Sequence, residues 1–389
     1  MRRIGLFLDV EPHLGGTFQY NQAVLHALAA LPSAHFQVVV GYTSELWREY
    51  LGELPVESFR VRSGIIGRGV GYLWHRLDLP LGPWRAVNPL FHPMARDLLG
   101  KKCDLWIFPS QDTRGCEFPV PALIAIHDLM HRYESRFPEV GTPREFRIRE
   151  KQYASICRWA RGVLVDSRIG AAQVRESYGL QEERIHVLPF IAPPHAWNDS
   201  PPPGFDERYH LPEKFVFYPA QFWEHKNHAR LVHAIARLKG DFPDLKLVLV
   251  GSLKNAYDGL VALIGELGLK DAVQFLGYVP DEDMPELYRR ARALVMPTFF
   301  GPTNIPPLEA FAAGCPVAIS DRYGMPEQAG DAALFFDPES VEAIAETVRR
   351  LWTDDALCAE LVRRGTERAA SWGQVQFGQR LQEIIETIT

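Results

Sequence analysis

Short unbroken apolar runs alternate with amphipathic stretches along the 389 residues. In the first half the apolar runs are 4–10, 35–42, 104–110, 122–128 and 162–167. Unbroken runs suit parallel strands covered on both faces, because no alternate position has to meet water. Helical periodicity lies between several of them, at 18–30, 143–161 and 170–178. The pattern stops at 189–203, PFIAPPHAWNDSPPP, where proline and polar residues predict a linker. It restarts with apolar runs at 214–220, 246–252, 273–279, 293–298, 316–320 and 333–337. Helices are expected between these at 227–239, 258–267, 283–291, 307–313 and 340–353. The expectation is therefore an α/β chain of two Rossmann-like, doubly wound domains, 1–195 and 204–371.

Composition narrows the partners. A net charge of −6 argues against general nucleic-acid binding. Five widely spaced cysteines contain no CxxC pair, so neither a zinc ribbon nor a disulfide framework is implied, and a cytoplasmic setting fits. The run 4–10 is too short for a signal peptide and reads as a first strand. No stretch reaches the ~20 apolar residues that span a bilayer, so any membrane contact is peripheral. Two regions leave such contact open. Residues 59–100 are rich in arginine and aromatics, including Arg60, Arg62, Ile65, Ile66, Tyr72, Trp74, Arg76 and Trp84. They read either as core helices or as a basic, aromatic surface for a lipid-linked acceptor. The stretch 143–161 carries Arg144, Arg147, Arg149, Lys151, Arg158 and Arg161, which read as a solvated face or as a weak anionic-membrane contact.

The densest chemistry lies at 299–336, FFGPTNIPPLEAFAAGCPVAISDRYGMPEQAGDAALFF. A strand ends at Thr298 and a Gly-Pro turn follows. Thr303 or Asn304 could cap a helix that begins with Pro306 and Pro307. A helix start beyond a parallel strand suits a diphosphate, and Glu309, one turn inside, can accept from ribose hydroxyls. The segment resembles the donor-site signature of family 4 glycosyltransferases of the GT-B fold, E-G-F-G-L-P-x-L-E-A-x-A-x-G-x-P-V. Pro306, Leu308, Glu309, Ala310, Ala312, Gly314, Pro316 and Val317 match it. The family's first glutamate falls on Gly301, with Thr303 and Asn304 the nearest polar substitutes.

Three further segments extend the resemblance. In 218–238, YPAQFWEHKNHARLVHAIARL, Lys226 stands after a strand, where one ammonium can neutralise a leaving diphosphate. The family pattern G-R-x-x-x-x-K-G puts Gln221 at its arginine, and His225 and His228 read equally as helpers or as polar loop residues. In 124–139, IAIHDLMHRYESRFPE, His127 and Asp128 close a strand. The resemblance, here to bacterial mannosyltransferase-like members, gives His127 a contact with the sugar. His127 and His131 at i, i+4 leave a zinc reading open, but no third ligand is evident. In 10–21, Gly15 and Gly16 follow the first strand without forming GxGxxG, which disfavours a nicotinamide cofactor. Family glycines there meet donor phosphate or acceptor. Gly277, Tyr278 and Val279 resemble the loop that meets the base. Residues 372–389 resemble the helix that crosses back to the first domain.

The resemblance implies a GT-B chain with its two domains facing across a cleft. It implies metal-independent, retaining transfer of a hexose, mannose by resemblance, to a saccharide or lipid-linked acceptor. Its donor would be a GDP-sugar or UDP-sugar, with no other cofactor. The expected catalytic residues are His127, Lys226 and Glu309. Donor contacts are expected from Gly15, Gly16, Gln221, Lys226, Gly277, Tyr278, Val279, Thr303, Asn304, Ile305, Pro306 and Glu309, and acceptor or sugar contacts from His127 and Asp128. Gly301 and Gln221 keep open a non-catalytic nucleotide-sugar binder. An epimerase of the same fold is the other reading.

Overall fold

The computed structural model describes residues 1–11, 15–62, 64, 69–71, 73, 74, 77, 79–111, 113–193 and 201–389. Ile65, Ile66, Tyr72, Arg76 and positions 194–200 of the expected linker lie outside the described residues. The chain forms two compact units. One comprises Met1–Leu129, Pro143–Pro189 and Gln374–Thr389; the other comprises Met130–Thr142 and Phe190–Gly373.

The first unit holds seven parallel strands in the order β3-β2-β1-β4-β5-β6-β7. They are β1 (Arg2–Leu8), β2 (Phe36–Tyr42), β3 (Glu57–Arg60), β4 (Leu105–Phe108), β5 (Ala122–Ala125), β6 (Gly162–Val165) and β7 (Ile185–Val187). Ile4 of the central β1 sits level with Val38 on one side and Leu105 on the other. All four residues of each of β4, β5 and β6 are buried, as their unbroken apolar sequences require. The helix Gln374–Ile388 belongs to this unit and packs on the helix Gly15–Ala29. Phe377 meets Tyr20 edge-on at 6.1 Å, and the Gln374 amide donates to the Ala23 carbonyl at 3.0 Å.

The second unit has six parallel strands in the order β10-β9-β8-β11-β12-β13. They are β8 (Val216–Pro219), β9 (Leu247–Val250), β10 (Val273–Gly277), β11 (Ala293–Met296), β12 (Val317–Ser320) and β13 (Ala333–Phe336). Both sheets reverse their winding at an interior pair, β1/β4 in one and β8/β11 in the other. Loops leaving the carboxyl ends of such a pair diverge and leave a crevice, which is where open α/β sheets bind ligands.

Each expected apolar run is a strand, and the doubly wound α/β class holds in both units. Two strands were missed. β3, Glu-Ser-Phe-Arg, is an edge strand with alternating exposure, and β7 has only three residues. Residues 130–142, expected with the first unit, pack instead with the second. The Phe137 ring lies 5.3 Å from Phe299 and 6.2 Å from His225, and Tyr323 donates to Glu134 at 2.8 Å. These partners stand 86 or more positions away in sequence, beyond the reach of any local pattern. Among the described residues, no helix is long and apolar enough to cross a membrane.

Candidate functional site

The loops after β8 and β11 meet at the switch point of the second sheet. After β8 the chain makes a 3-10 turn, Glu224–Lys226, and enters the helix His228–Leu238 through Asn227, whose φ is 61°. The Asn227 amide donates to Pro297 O at 2.9 Å and Pro338 O at 2.8 Å. Tyr218 donates to the Lys226 carbonyl at 2.9 Å. The turn is thus tied to the sheet on both sides, and the Lys226 Nζ reaches across to Asn304 Oδ1 at 3.1 Å.

The loop after β11 corrects one expectation. Neither Thr303 nor Asn304 caps the helix Pro306–Ala312. The cap residue is Ile305, in helical conformation and without a side-chain cap bond. Asn304 is held elsewhere. Its side chain accepts from Lys226, its N–H donates to Gln328 Oε1 at 3.0 Å, and its carbonyl accepts from Gln328 Nε2 at 2.6 Å. The amides at this helix start are few. Pro302, Pro306 and Pro307 have none, and those of Leu308 and Glu309 bond to Ile305 O. The helix ends as expected at Gly314. Cys315 N bonds to Ala310 O and Gly314 N to Phe311 O, with a φ of 70° at Gly314.

Gly301 has a structural reason to lack the family's carboxylate. Its φ is 128°, and an added Cβ would stand 2.4 Å from the Asn304 amide nitrogen. The Asn304 side chain therefore occupies the space that a side chain at 301 would need. Gln221 is exposed, and its side-chain carbonyl accepts from the Trp223 indole at 2.8 Å.

His225 and His228 do not supply the missing positive charge. Burial, then Lys226 and each other, hold His225 down to about 2; burial and Lys226 hold His228 down to about 3. Glu139 lies 3.5 Å from His225 Nδ1 without reversing this. His228 lies between the rings of Tyr218 and Phe222, at 4.7 and 4.8 Å, and a bond to the Ala220 backbone acts against its shift without reversing it. Lys226 is thus the cation of this turn.

Glu309 is buried and accepts a 2.6 Å hydrogen bond from Tyr288. Burial and that carboxylate raise the Tyr288 phenol well above its ordinary value, so it stays a donor. The loop expected to meet a base contains exposed Tyr278 between Gly277, whose φ is 71°, and buried Val279.

In the first unit, His127 and Asp128 leave the carboxyl end of β5. Gln111 Oε1 accepts from the backbone N–H of both, at 2.7 and 3.3 Å. His127 Nε2 lies 2.6 Å from Pro109 O, and a carbonyl only accepts, so Nε2 carries the proton. Burial lowers the His127 pKa, with the Pro109 bond acting against it, so the ring is neutral at pH 7. Tyr20 packs edge-on against it at 4.9 Å. Gly15 and Gly16 form the first turn of the helix Gly15–Ala29 rather than a loop before it. Among the described residues, no group of three His, Cys, Asp or Glu side chains could hold a metal ion.

Sequence reasoning missed Glu139, Tyr288 and Gln328. Glu139 accepts from the backbone N–H groups of Glu224 and His225, at the start of the turn that carries Lys226. None of the three has a motif of its own, and each is recognisable only through its partner.

Residues 205–368 match the family described as Glycosyl transferases group 1. The chain is 38% identical over 118 residues to O-antigen chain mannosyltransferase B of Escherichia coli, covering 30% of this chain and 31% of that protein. It is 26% identical over 285 residues to mannosylfructose-phosphate synthase of Agrobacterium fabrum, covering 65% and 60% respectively. The chain therefore spans under two thirds of either relative. The crystal structure of Anabaena HepE in complex with UDP and glucose has the same fold, with a TM-score of 0.72, 18% identity and full coverage of both chains.

The Tyr288→Phe variant should lose about 1–3 kcal/mol of stability, because the buried Glu309 carboxylate loses the 2.6 Å bond from this phenol. Chemical denaturation measures this directly.

A second expectation concerns pH. The unfolded histidines titrate near 6.5, while His225 and His228 resist protonation in the fold down to about 2 and 3. Their burial costs nothing above pH 6.5, and stability falls as pH drops below it. The loss is up to about 1.4 kcal/mol per pH unit for each group. Denaturation curves between pH 7 and 5 should show a shallower fall for His228→Phe than for the wild type.

Proposed function

We propose that this chain, whose residues 205–368 are a Glycosyl transferases group 1 domain, transfers a hexose from a nucleoside-diphosphate sugar to a saccharide or lipid-linked acceptor. The observation that carries the reading is the Lys226 ammonium, fixed 3.1 Å from Asn304 Oδ1 where β8 and β11 open. Transfer breaks the bond between the anomeric carbon and the diphosphate oxygen and forms one from that carbon to an acceptor hydroxyl oxygen, whose proton passes to the departing diphosphate. Negative charge grows on the departing diphosphate, and a pre-placed ammonium stabilises it more in the transition state than in the ground state. Thr303, Asn304, Ile305 and Pro306 shape the contact around it. Glu309, oriented by Tyr288, accepts from the ribose hydroxyls. Gln221 sits beside the phosphates, and the backbone at Gly277, Tyr278 and Val279 meets the base.

In the first unit, Gly15, Gly16, His127 and Asp128 receive the acceptor and the sugar. His127 enters as a neutral ring, suited to hydrogen bonding rather than to charge. The reaction proceeds with retention and needs no metal ion. The protein works in the cytoplasm, with peripheral membrane contact. The names of the two relatives favour mannose, and with it a GDP-sugar over a UDP-sugar. The family and the relatives favour transfer over a non-catalytic binder or an epimerase.

Release of nucleoside diphosphate from GDP-mannose and from UDP-sugars, with and without saccharide acceptors, tests the reading. The Lys226→Ala variant should lose roughly 10²–10³-fold in turnover, the scale of removing one transition-state charge contact. Its thermal unfolding should match the wild type. Wild-type turnover by that variant would remove Lys226 from the mechanism, and complete inhibition by EDTA would overturn metal independence.

A further inference from the structure

The segment Met130–Thr142 follows β5 in the chain but packs as part of the second unit. Its contacts there converge on the two loops of the Lys226 site. The Phe137 ring lies 5.3 Å from Phe299, just beyond β11, and 6.2 Å from His225, in the turn after β8. Those two residues are themselves joined, because the Phe299 N–H donates to His225 O at 2.8 Å. The Arg136 guanidinium covers the Phe299 ring at 4.7 Å and pairs with Glu339 at 3.0 Å. Nearer the start of the segment, Glu134 accepts from Tyr323 at 2.8 Å. The segment is a strap laid over the junction of the two loops.

Glu139 does something that the ring contacts do not. The 3-10 turn Glu224–Lys226 begins at Trp223, which gives it no side-chain cap. The N–H groups at the start of a helical turn have no partner within it. Glu139 Oε1 accepts from the Glu224 N–H at 2.5 Å and from the His225 N–H at 3.4 Å, and Asn255 Oδ1 shares the Glu224 N–H at 3.2 Å. The strap therefore supplies the cap, through a carboxylate only 8% exposed. Burying a charge costs more than burying an apolar side chain in its place, so adhesion alone does not call for a glutamate. What the carboxylate adds is direction. One oxygen shared by two consecutive amides fixes the orientation of the turn, and the next residue in it is Lys226.

We propose that Glu139 is a positioning residue for sugar transfer: by capping this turn it aims the Lys226 ammonium, which makes the strap Met130–Thr142 a working part of the donor site. The inference rests on the reading of Lys226 as the group that stabilises the departing diphosphate. The effect of Glu139 passes through Lys226 alone. A misplacement of about 1 Å in a group that acts on developing charge costs up to ~10²-fold in rate. Ground-state binding draws on many other contacts and changes little.

The experiment compares Glu139→Asp, Glu139→Gln and Tyr323→Phe in the full chain, by nucleoside-diphosphate release from GDP-mannose and from UDP-sugars. Each change is conservative, and thermal unfolding checks that every variant folds. Aspartate keeps the charge but falls about 1.5 Å short. Its kcat should drop roughly 10- to 100-fold, with the donor KM within about threefold of the wild type. Glutamine keeps an accepting oxygen at the same reach and should restore most of the rate. Tyr323→Phe frees the strap at Glu134 without touching the turn, and should leave kcat and KM unchanged. In a Lys226→Ala background, Glu139→Asp should cost almost nothing further, because the group it aims is gone. A second readout needs no donor. After isotope-labelled reductive methylation, the Lys226 amine signal, assigned with Lys226→Arg, should stand apart from those of exposed lysines in the wild type and in Glu139→Gln. It should move toward them in Glu139→Asp. An unmoved Lys226 signal overturns the proposal. So does an unchanged kcat in Glu139→Asp, full additivity with Lys226→Ala, or an equal loss in Tyr323→Phe, which would make the strap a structural support only. A signal that moves as expected in a protein that turns over no sugar nucleotide would overturn the proposed function and leave the placement of Lys226 by Glu139 standing.

Discussion

One hydrogen bond, from the Lys226 ammonium to the Asn304 side-chain carbonyl, joins the two loops that diverge at the middle of the second sheet. Several neighbouring groups hold that ammonium in place. Tyr218 and Glu139 hold the backbone of the lysine's turn, and Asn227 adopts a positive φ so that the helix behind it can start. Gln328 clamps both backbone groups of Asn304. The histidines on either side of Lys226 are held neutral by burial.

This arrangement makes sense of two departures from the family signature. Gln221 removes a positive charge from the loop after β8, and Gly301 removes a negative charge from the loop after β11. The two losses cancel in net charge. The space at 301 is taken by Asn304, a neutral group that both donates and accepts. The two loops therefore carry an amide where the signature offers a carboxylate, and they keep the lysine at 226.

The sequence was most legible where structure is dictated locally. Unbroken apolar runs such as 247–250 and 293–296 identify buried parallel strands, and Gly314 marks a helix end. Glu57–Arg60 was illegible because an edge strand has one open side, where Glu57 can take Arg3 and Lys101 as partners and so looks like a polar loop. Lys226 and Glu309 were visible as motif residues. Their supports were not: Glu139 stands 85 positions from the amide it caps, and Tyr288 stands 21 positions from Glu309. The neutrality of His225 and His228 was hidden for a related reason. Their charge state depends on the aromatic rings folded around them, which the local sequence does not display.

The magnitudes decide which element of the site matters to an anion. A helix terminus contributes about 0.3–1 kcal/mol, up to ~2 in a sheltered setting. Here the helix has seven residues, and prolines at its first two positions remove donors that would carry that effect. An ammonium about 4 Å from a phosphate oxygen, at an effective dielectric near 20, contributes on the order of 4 kcal/mol. The side chain therefore outweighs the dipole. The prolines fix the loop's direction and leave Lys226 as the stronger electrostatic feature, with Asn304, Glu139 and Asn227 setting where its ammonium stands.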